Sequence, residues 1–360
     1  MCVANKTIDG YQCMIGWYVD DTMIAHKDPN VVKAEIAHIE KHFGEMSKTH
    51  GAKHSFLGMN IEFVGDGSVM IDTNNYFREV IEGFEREGHV IVGTNVTPAA
   101  PNMFDTNRKN TPLPAKLTDV FRSTVAKLLW ASQRSRLDLS FAVTFLCSRL
   151  NCATDGDWEK LRRLLGYLKG TIHMKRKLSA FNLHTMYTWV DASYAVHPDM
   201  RSHTGGAISF GVGALKVMSR KQRLNTTSST EAEVVGTSDY VPKNIWFQMF
   251  LEEQGYPIKE NIMYQDNQSA IRLERNGRRS CGQASRHINI RYFFVKDRID
   301  TGKLRIEYCP TESMLADFFT KPMQGTLFRL FHDVILGHRP ISDLVDYSVQ
   351  STRSKERVGG

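Results

Sequence analysis

The sequence is poor in everything that would place it outside a cell or in a membrane. It holds only six cysteines, Cys2, Cys13, Cys147, Cys152, Cys281 and Cys309, with no CxxC pair and no tight spacing among them. They read as free thiols of a reducing compartment, not as a disulfide framework or a zinc site. No apolar run approaches the roughly 20 residues that cross a bilayer, and the opening MCVANKTIDG has no apolar stretch of the signal-peptide kind. No internal repeat is visible. The protein is expected to be intracellular, in the cytoplasm or the nucleus, with no membrane partner. Charge of one sign is also scarce: 46 Lys and Arg against 39 Asp and Glu leave a formal +7 over 360 residues. That excess is compatible with a polyanionic partner without requiring one.

What is present is ordinary globular composition, 41% hydrophobic and 24% charged, and a chain long enough for two or three cores. The first segment, 1–95, opens with Met14-Ile15-Gly16-Trp17-Tyr18-Val19-Asp20-Asp21-Thr22-Met23-Ile24, in which apolar residues flank two adjacent carboxylates. This pattern predicts two strands joined at an acidic turn. Val31, Val32, Ile36, Ile39 and Phe43 then recur at helical spacing. From Thr94 to Leu117 the prolines Pro98, Pro101, Pro112 and Pro114 punctuate a polar stretch read as a linker or long loop. Helices are expected around Val120–Leu150 and Asp155–Leu168, so that 96–182 forms a helical connection.

A third segment, 183–340, reads as an α/β mixed sheet. Strands are expected at Met186–Val190, Gly206–Gly211, Ala214–Ser219, Asn261–Gln265 and Leu304–Tyr308. A long helix is expected at Ser229–Gln254, entered through a Ser/Thr cluster able to cap it. The polar end, 341–360, is expected to be a disordered tail.

Four acidic residues punctuate the third segment. Asp191 ends the apolar strand, Glu233 lies in the first turns of the long helix, Asp266 ends the fourth strand, and Asp317 follows the last strand. Each alone is an ordinary turn or cap residue. Together, carboxylates converging where strands terminate repel one another unless a cation neutralises them, and all-oxygen ligation suits Mg²⁺. Two such ions about 4 Å apart can activate water and stabilise the leaving oxygen of a phosphodiester. Arg272, Arg275, Arg278, Arg279, Arg286 and Arg291, against Glu274 alone, form a basic run after Asp266. It reads either as a phosphate-holding surface or as a solvated face. Without interleaved aromatics it suits a duplex recognised by shape.

The motifs Val190-Asp191-Ala192-Ser193, Arg201-Ser202-His203-Thr204-Gly205-Gly206, Ser219-Arg220-Lys221-Gln222, Ser228-Ser229-Thr230-Glu231-Ala232-Glu233, Asp266-Asn267-Gln268-Ser269-Ala270, Arg286-His287-Ile288 and Leu315-Ala316-Asp317-Phe318-Phe319-Thr320-Lys321-Pro322 closely resemble, in order, the ribonuclease H (RNase H) domain of copia-type retrotransposon polyproteins. The resemblance implies an RNase H-like fold that hydrolyses the RNA strand of RNA–DNA hybrids with two Mg²⁺ or Mn²⁺ ions. It also implies that Asp191, Glu233, Asp266 and Asp317 are the metal-binding catalytic carboxylates. Glu231 rivals Glu233; the resemblance favours the latter, because the family's catalytic Glu is usually followed by two residues and then a small one, here Gly236 where Ala is commoner. His287 is either a catalytic histidine or a surface residue at a helix start.

Tyr18-Val19-Asp20-Asp21 resembles the acidic hairpin of reverse transcriptases, supported by Phe56-Leu57-Gly58-Met59, Arg136-Leu137-Asp138 and Gly166-Tyr167-Leu168-Lys169-Gly170-Thr171. Residues 1–95 are therefore expected to be a truncated palm and thumb remnant. Polymerisation would require an upstream part of the polyprotein, which would supply a further palm Asp and the fingers. An inactive transposon remnant is the non-enzymatic alternative.

Overall fold

A computed structural model describes residues 2–91, 93–106, 110–277 and 289–345. The chain begins as a three-stranded antiparallel meander, β1 (Cys2–Ile8), β2 (Tyr11–Tyr18) and β3 (Asp21–Ala25). The β1–β2 turn, Asp9-Gly10, has φ 51° and 78°, the left-handed pair that a two-residue hairpin loop needs. The expected acidic turn joins β2 to β3, with Tyr18 opposite Asp21. Helix α1 (Pro29–Phe43) follows, started by Asp28, whose side chain accepts from the Asn30 amide; it buries no residue.

A second sheet was not foreseen. It joins β4 (Lys53–Phe56), β5 (Met59–Phe63) and β6 (Val69–Asp72) to β7 (Arg176–Ala180), which arrives a hundred residues later and pairs Val69 with Leu178. Between β6 and β7 lie α2 (Asn74–Arg86), α3 (Ala115–Ser132), α4 (Ser140–Cys147) and α5 (Asp155–Gly170). The helix expected across 120–150 is thus two helices, separated by a 3₁₀ turn over Leu137–Leu139. The proline-punctuated stretch is not a free linker: Thr97, Ala99 and Met103 are buried.

The third sheet carries the expected five strands: β8 (Thr185–Ser193), β9 (His203–Ser209), β11 (Ala214–Lys221), β12 (Glu260–Gln265) and β13 (Arg305–Tyr308). Its order is β11-β9-β8-β12-β13; the first three are antiparallel, and β12 and β13 run parallel to β8. The short β10 (Gly211–Val212) leaves this sheet to pair with β7 in the second. Helices α6 (Ser229–Glu253), α7 (Gln268–Asn276), α8 (Asn289–Asp300) and α9 (Gly325–Leu336) complete the third segment. The protein is a mixed α/β structure with several sheets.

Alternation along the strands divides the third sheet's side chains between two cores. Met186, Val190, Ile208 and Met263 face α6, packing on Tyr240 and Val241. Trp189, Ala207 and Val217 face the opposite way. There they share one continuous core with Phe77 of α2, with Phe121, Leu128, Phe145 and Leu165 of the helical connection and with Phe331 and Val334 of α9. This core runs across the boundary expected near Leu183. Two adjacent glycines let both layers close in on β9. A Cβ on Gly205 would stand 2.7 Å from the Ala316 carbonyl oxygen, and one on Gly206 would stand 2.6 Å from the Tyr240 ring.

Candidate metal centre

Three of the four sequence-selected carboxylates converge. Asp191, Glu233 and Asp266 each offer an oxygen within 4.8 Å of the others. Asp191 comes from β8, which continues past it to Ser193 instead of ending there. Glu233 comes from the second turn of α6, whose N-terminus is capped by Ser228 accepting from the Glu231 amide at 3.2 Å. Asp266 directly follows β12. Adjacent parallel strands therefore deliver two carboxylates, and α6 brings the third from above the sheet edge. Glu231 points elsewhere: its Oε2 accepts from the Thr227 amide at 2.7 Å, bracing the helix entry.

Asp191 and Glu233 are buried and Asp266 is half-buried. Glu233 Oε2 is enclosed with no hydrogen-bond partner. Burial, with Asp191 and Asp266 facing it, holds the Glu233 carboxyl well above the usual carboxylate range. Burial and then Asp191 raise Asp266 as well. An oxygen-only set whose members oppose each other's ionisation, one with a stranded buried oxygen, fits a hard divalent cation.

Asp317 stands beside this group on a 3₁₀ turn over Leu315–Phe319. Burial, with Asp191 nearby, pushes its carboxyl up to about 8. Between Asp317 and Asp191 lies Lys321, its Nζ 2.8 Å from Asp317 Oδ1 and 3.6 Å from Asp191 Oδ2. Burial opposes the lysine charge, but Asp191 and Asp317 outweigh it and hold the ammonium above its ordinary range. Thr320 Oγ1 also donates to Asp191 Oδ2.

Behind the turn runs a buried relay. His197 Nε2 meets His203 Nδ1 at 3.0 Å, His203 Nε2 meets Ser219 Oγ at 2.8 Å, and Ser219 Oγ donates to the Phe319 carbonyl at 2.8 Å. Because Ser219 spends its proton on Phe319, His203 must donate from Nε2 and accept at Nδ1 from His197. Burial pushes the two imidazoles down to about 4 and about 3, so both are neutral links. The relay fixes the backbone just after Asp317.

Other selected residues fare differently. Tyr18, Val19, Asp20 and Asp21 are exposed at the β2–β3 hairpin, and Val19 adopts φ 54°, a strained value for a β-branched residue. Among the described residues no third carboxylate joins Asp20 and Asp21 in a metal-type group. Arg278, Arg279, Arg286 and His287 lie outside the described residues. Arg272 is exposed, Arg275 donates to the Ile306 carbonyl, and Arg291 pairs with Asp239 at 2.5 Å. Two of the basic run's arginines thus tie elements together. Glu274 is not a surface counter-charge at all. It is fully buried, and burial pushes it up to about 8.

The sequence reading assigned Lys321, Thr320 and the histidine relay no role. An Asp-x-x-x-Lys spacing at 317–321 was the available signal for the lysine.

No family model matches the chain. It is 27% identical over 326 residues, 89% of its length, to a retrovirus-related Pol polyprotein from transposon TNT 1-94 of Nicotiana tabacum. It is 29% identical over 318 residues to the Pol polyprotein from transposon RE1 of Arabidopsis thaliana. The chain spans 24% and 21% of the length of these relatives. A putative transposon Ty5-1 protein of Saccharomyces cerevisiae matches 66% of the chain at 27% identity, over 75% of its own length. Among solved structures, LC11-RNase H1 isolated from compost overlaps 37% of this chain and 91% of its own, at 14% identity and TM-score 0.29. So loose an overlap leaves the fold to the strand order itself.

Proposed function

Taking the chain as a segment of a copia-type retrotransposon Pol polyprotein, we propose that its third segment is a ribonuclease H that hydrolyses the RNA strand of RNA–DNA hybrids. The observation that carries this reading is the meeting of Asp191, Glu233 and Asp266 within 4.8 Å, from two parallel strands and a helix start. The strand order β11-β9-β8-β12-β13, three antiparallel strands continued by two parallel ones, supports an RNase H-like fold. Bound there, Mg²⁺ or Mn²⁺ would supply an acidified water and charge stabilisation at phosphorus.

The chain's own residues do the positioning. Asp191, Glu233 and Asp266 would hold the ion, with Asp317 completing the acidic wall. The Thr320 hydroxyl donates to Asp191 Oδ2 and so fixes that carboxylate's orientation. Burial of Asp191 and Glu233 keeps bulk water from competing for those oxygens. A second reading, polymerisation shared with an upstream part of the polyprotein, is favoured by the two carboxylates presented on the β2–β3 hairpin.

The test is cleavage of an end-labelled RNA–DNA hybrid by the full chain. Activity should require Mg²⁺ or Mn²⁺ and stop in excess chelator. Glu233→Gln should lose about 100-fold or more, since even outer partners of metal ligands are worth 10- to 100-fold. Glu231→Gln should stay within a few-fold. Loss in Glu231→Gln with activity kept in Glu233→Gln would transfer the role to Glu231.

A further inference from the structure

Among the described residues Lys321 is the cation set between the acidic side chains, and the metal-centre reading gives it no task. Its ammonium bridges two carboxylates, 2.8 Å from Asp317 Oδ1 and 3.6 Å from Asp191 Oδ2. Unlike most lysines, it is placed by a pinned backbone. The Lys321 amide donates to the Asp317 carbonyl at 3.0 Å, and the neighbouring Thr320 carbonyl accepts from Ser193 Oγ at 3.2 Å. Thr320 itself is fully buried against β8 and β9. The side chain remains 44% exposed, so Lys321 is held by carboxylates without being sealed from solvent.

A two-ion nuclease needs its ions about 4 Å apart, sharing a carboxylate between them. Here the oxygens gather in two sets. Asp191, Glu233 and Asp266 supply one convergent group. Asp191 Oδ2 and Asp317 Oδ1, the pair on which a second ion would sit, are already engaged by Lys321, and Asp191 Oδ2 by Thr320 as well. We propose that Lys321 takes the place of the second metal ion. The centre then holds a single divalent ion on Asp191, Glu233 and Asp266, and the lysine ammonium meets the phosphate from the Asp317 side.

The division of labour follows from chemistry. Acidifying a water requires coordination to a metal, which an ammonium cannot provide. Offsetting negative charge on a phosphate or leaving oxygen requires only a fixed cation and a hydrogen-bond donor. Lys321 is fitted to the second task and transfers no proton in it. The assignment rests on the ribonuclease reading for its substrate, but not for its ion count.

The decisive measurement is the number of Mn²⁺ ions bound by the full chain at saturation, counted by electron paramagnetic resonance without nucleic acid. The unaltered chain and Lys321→Arg should bind one ion. Lys321→Met should bind two, and Glu233→Gln should weaken the first ion at least about tenfold. Two ions in the unaltered chain, or one in Lys321→Met with intact circular dichroism, would overturn the proposal. If Lys321→Met does not fold, the counts for the unaltered chain and Lys321→Arg decide. In hybrid cleavage at Mn²⁺ concentrations that fill only the first ion, Lys321→Met should lose on the order of 100-fold, comparable to removing one preorganised donor, and recover as the second ion binds, with Lys321→Arg retaining most of the activity throughout. One ion, rising to two in Lys321→Met, with no hybrid cleavage by any form, would sink the ribonuclease reading and leave the lysine assignment standing. Cleavage with two ions in the unaltered chain would do the reverse.

Discussion

Asp138 is the most informative residue to remove outside the metal centre. It and Arg136 are both fully buried, paired side-on through Nε–Oδ1 at 2.9 Å and Nη2–Oδ2 at 2.8 Å. Arg136 spends two further donors on the Thr171 carbonyl and hydroxyl, each at 2.8 Å. The Tyr167 hydroxyl donates to Asp138 Oδ2 at 2.8 Å, and His332 of α9 lies 3.8 Å from the same oxygen. The pair thus clamps the α3–α4 turn to the end of α5, with α9 packed alongside. Asp138→Ala strands a guanidinium that has no water to turn to. Removing one partner of such a pair costs about 3–5 kcal/mol. That is a large share of the roughly 5–15 kcal/mol that holds a domain together. Replacing both charges, as Arg136→Met with Asp138→Leu, removes the stranded ion and should recover most of the loss. Urea titrations of the metal-free chain would show this as a lowered midpoint at constant slope for the single variant, partly restored in the double. A single variant within about 1 kcal/mol of the parent, or a double variant no better than the single, would refute the clamp.

The continuous core makes two further expectations concrete. A piece containing only 183–360 lacks the helices that cover Trp189, Ala207, Val217 and Phe331, so it should aggregate or melt without a cooperative transition. A piece from 52 onward keeps β4–β7 and the helical layer and should melt as the full chain does, by differential scanning calorimetry. The acidic centre also sets a pH dependence. In the fold, burial and the facing Asp191 raise the Asp317 carboxyl above its ordinary 3.8, with Lys321 opposing them in part, and Glu233, Asp266 and Glu274 are raised as well. The folded state therefore binds more protons than the unfolded chain above the ordinary carboxylate range, and metal-free stability falls as pH rises through that range toward neutrality and beyond. Thermal midpoints at pH 5 and pH 8.5 should show the drop, and Mg²⁺ should reduce it. A flat or rising profile would contradict the burial of Asp317.

The third sheet and its long helix were legible because each strand there is a dense apolar run bounded by turn residues, such as Ile262-Met263-Tyr264-Gln265 before Asp266. The meeting of Asp191, Glu233 and Asp266 was legible for the same reason, since strand ends and helix starts are local features. The second sheet was not. Lys53-His54-Ser55-Phe56 is too short and polar to show a period of two, and its sheet closes only when Arg176–Ala180 arrives from far along the chain. The Pro98–Pro114 stretch looked free because its anchors are remote. The Thr97 hydroxyl bonds to the Gln324 side chain, and Arg163 of α5 bonds to Thr97. The cation between Asp191 and Asp317 depends on where the chain folds after Asp317, which spacing alone does not determine.

The pairing of β10 with β7 has a consequence for chain continuity. Residues 181–184 between the second and third sheets are exposed, yet Phe181 is bonded to the Phe210 carbonyl and Ser179 faces Val212. The peptide bonds of that connector bear little of what joins the two halves. A protease that nicked the chain at Asn182 would leave two polypeptides still locked together, resolved in denaturant and travelling as one particle without it.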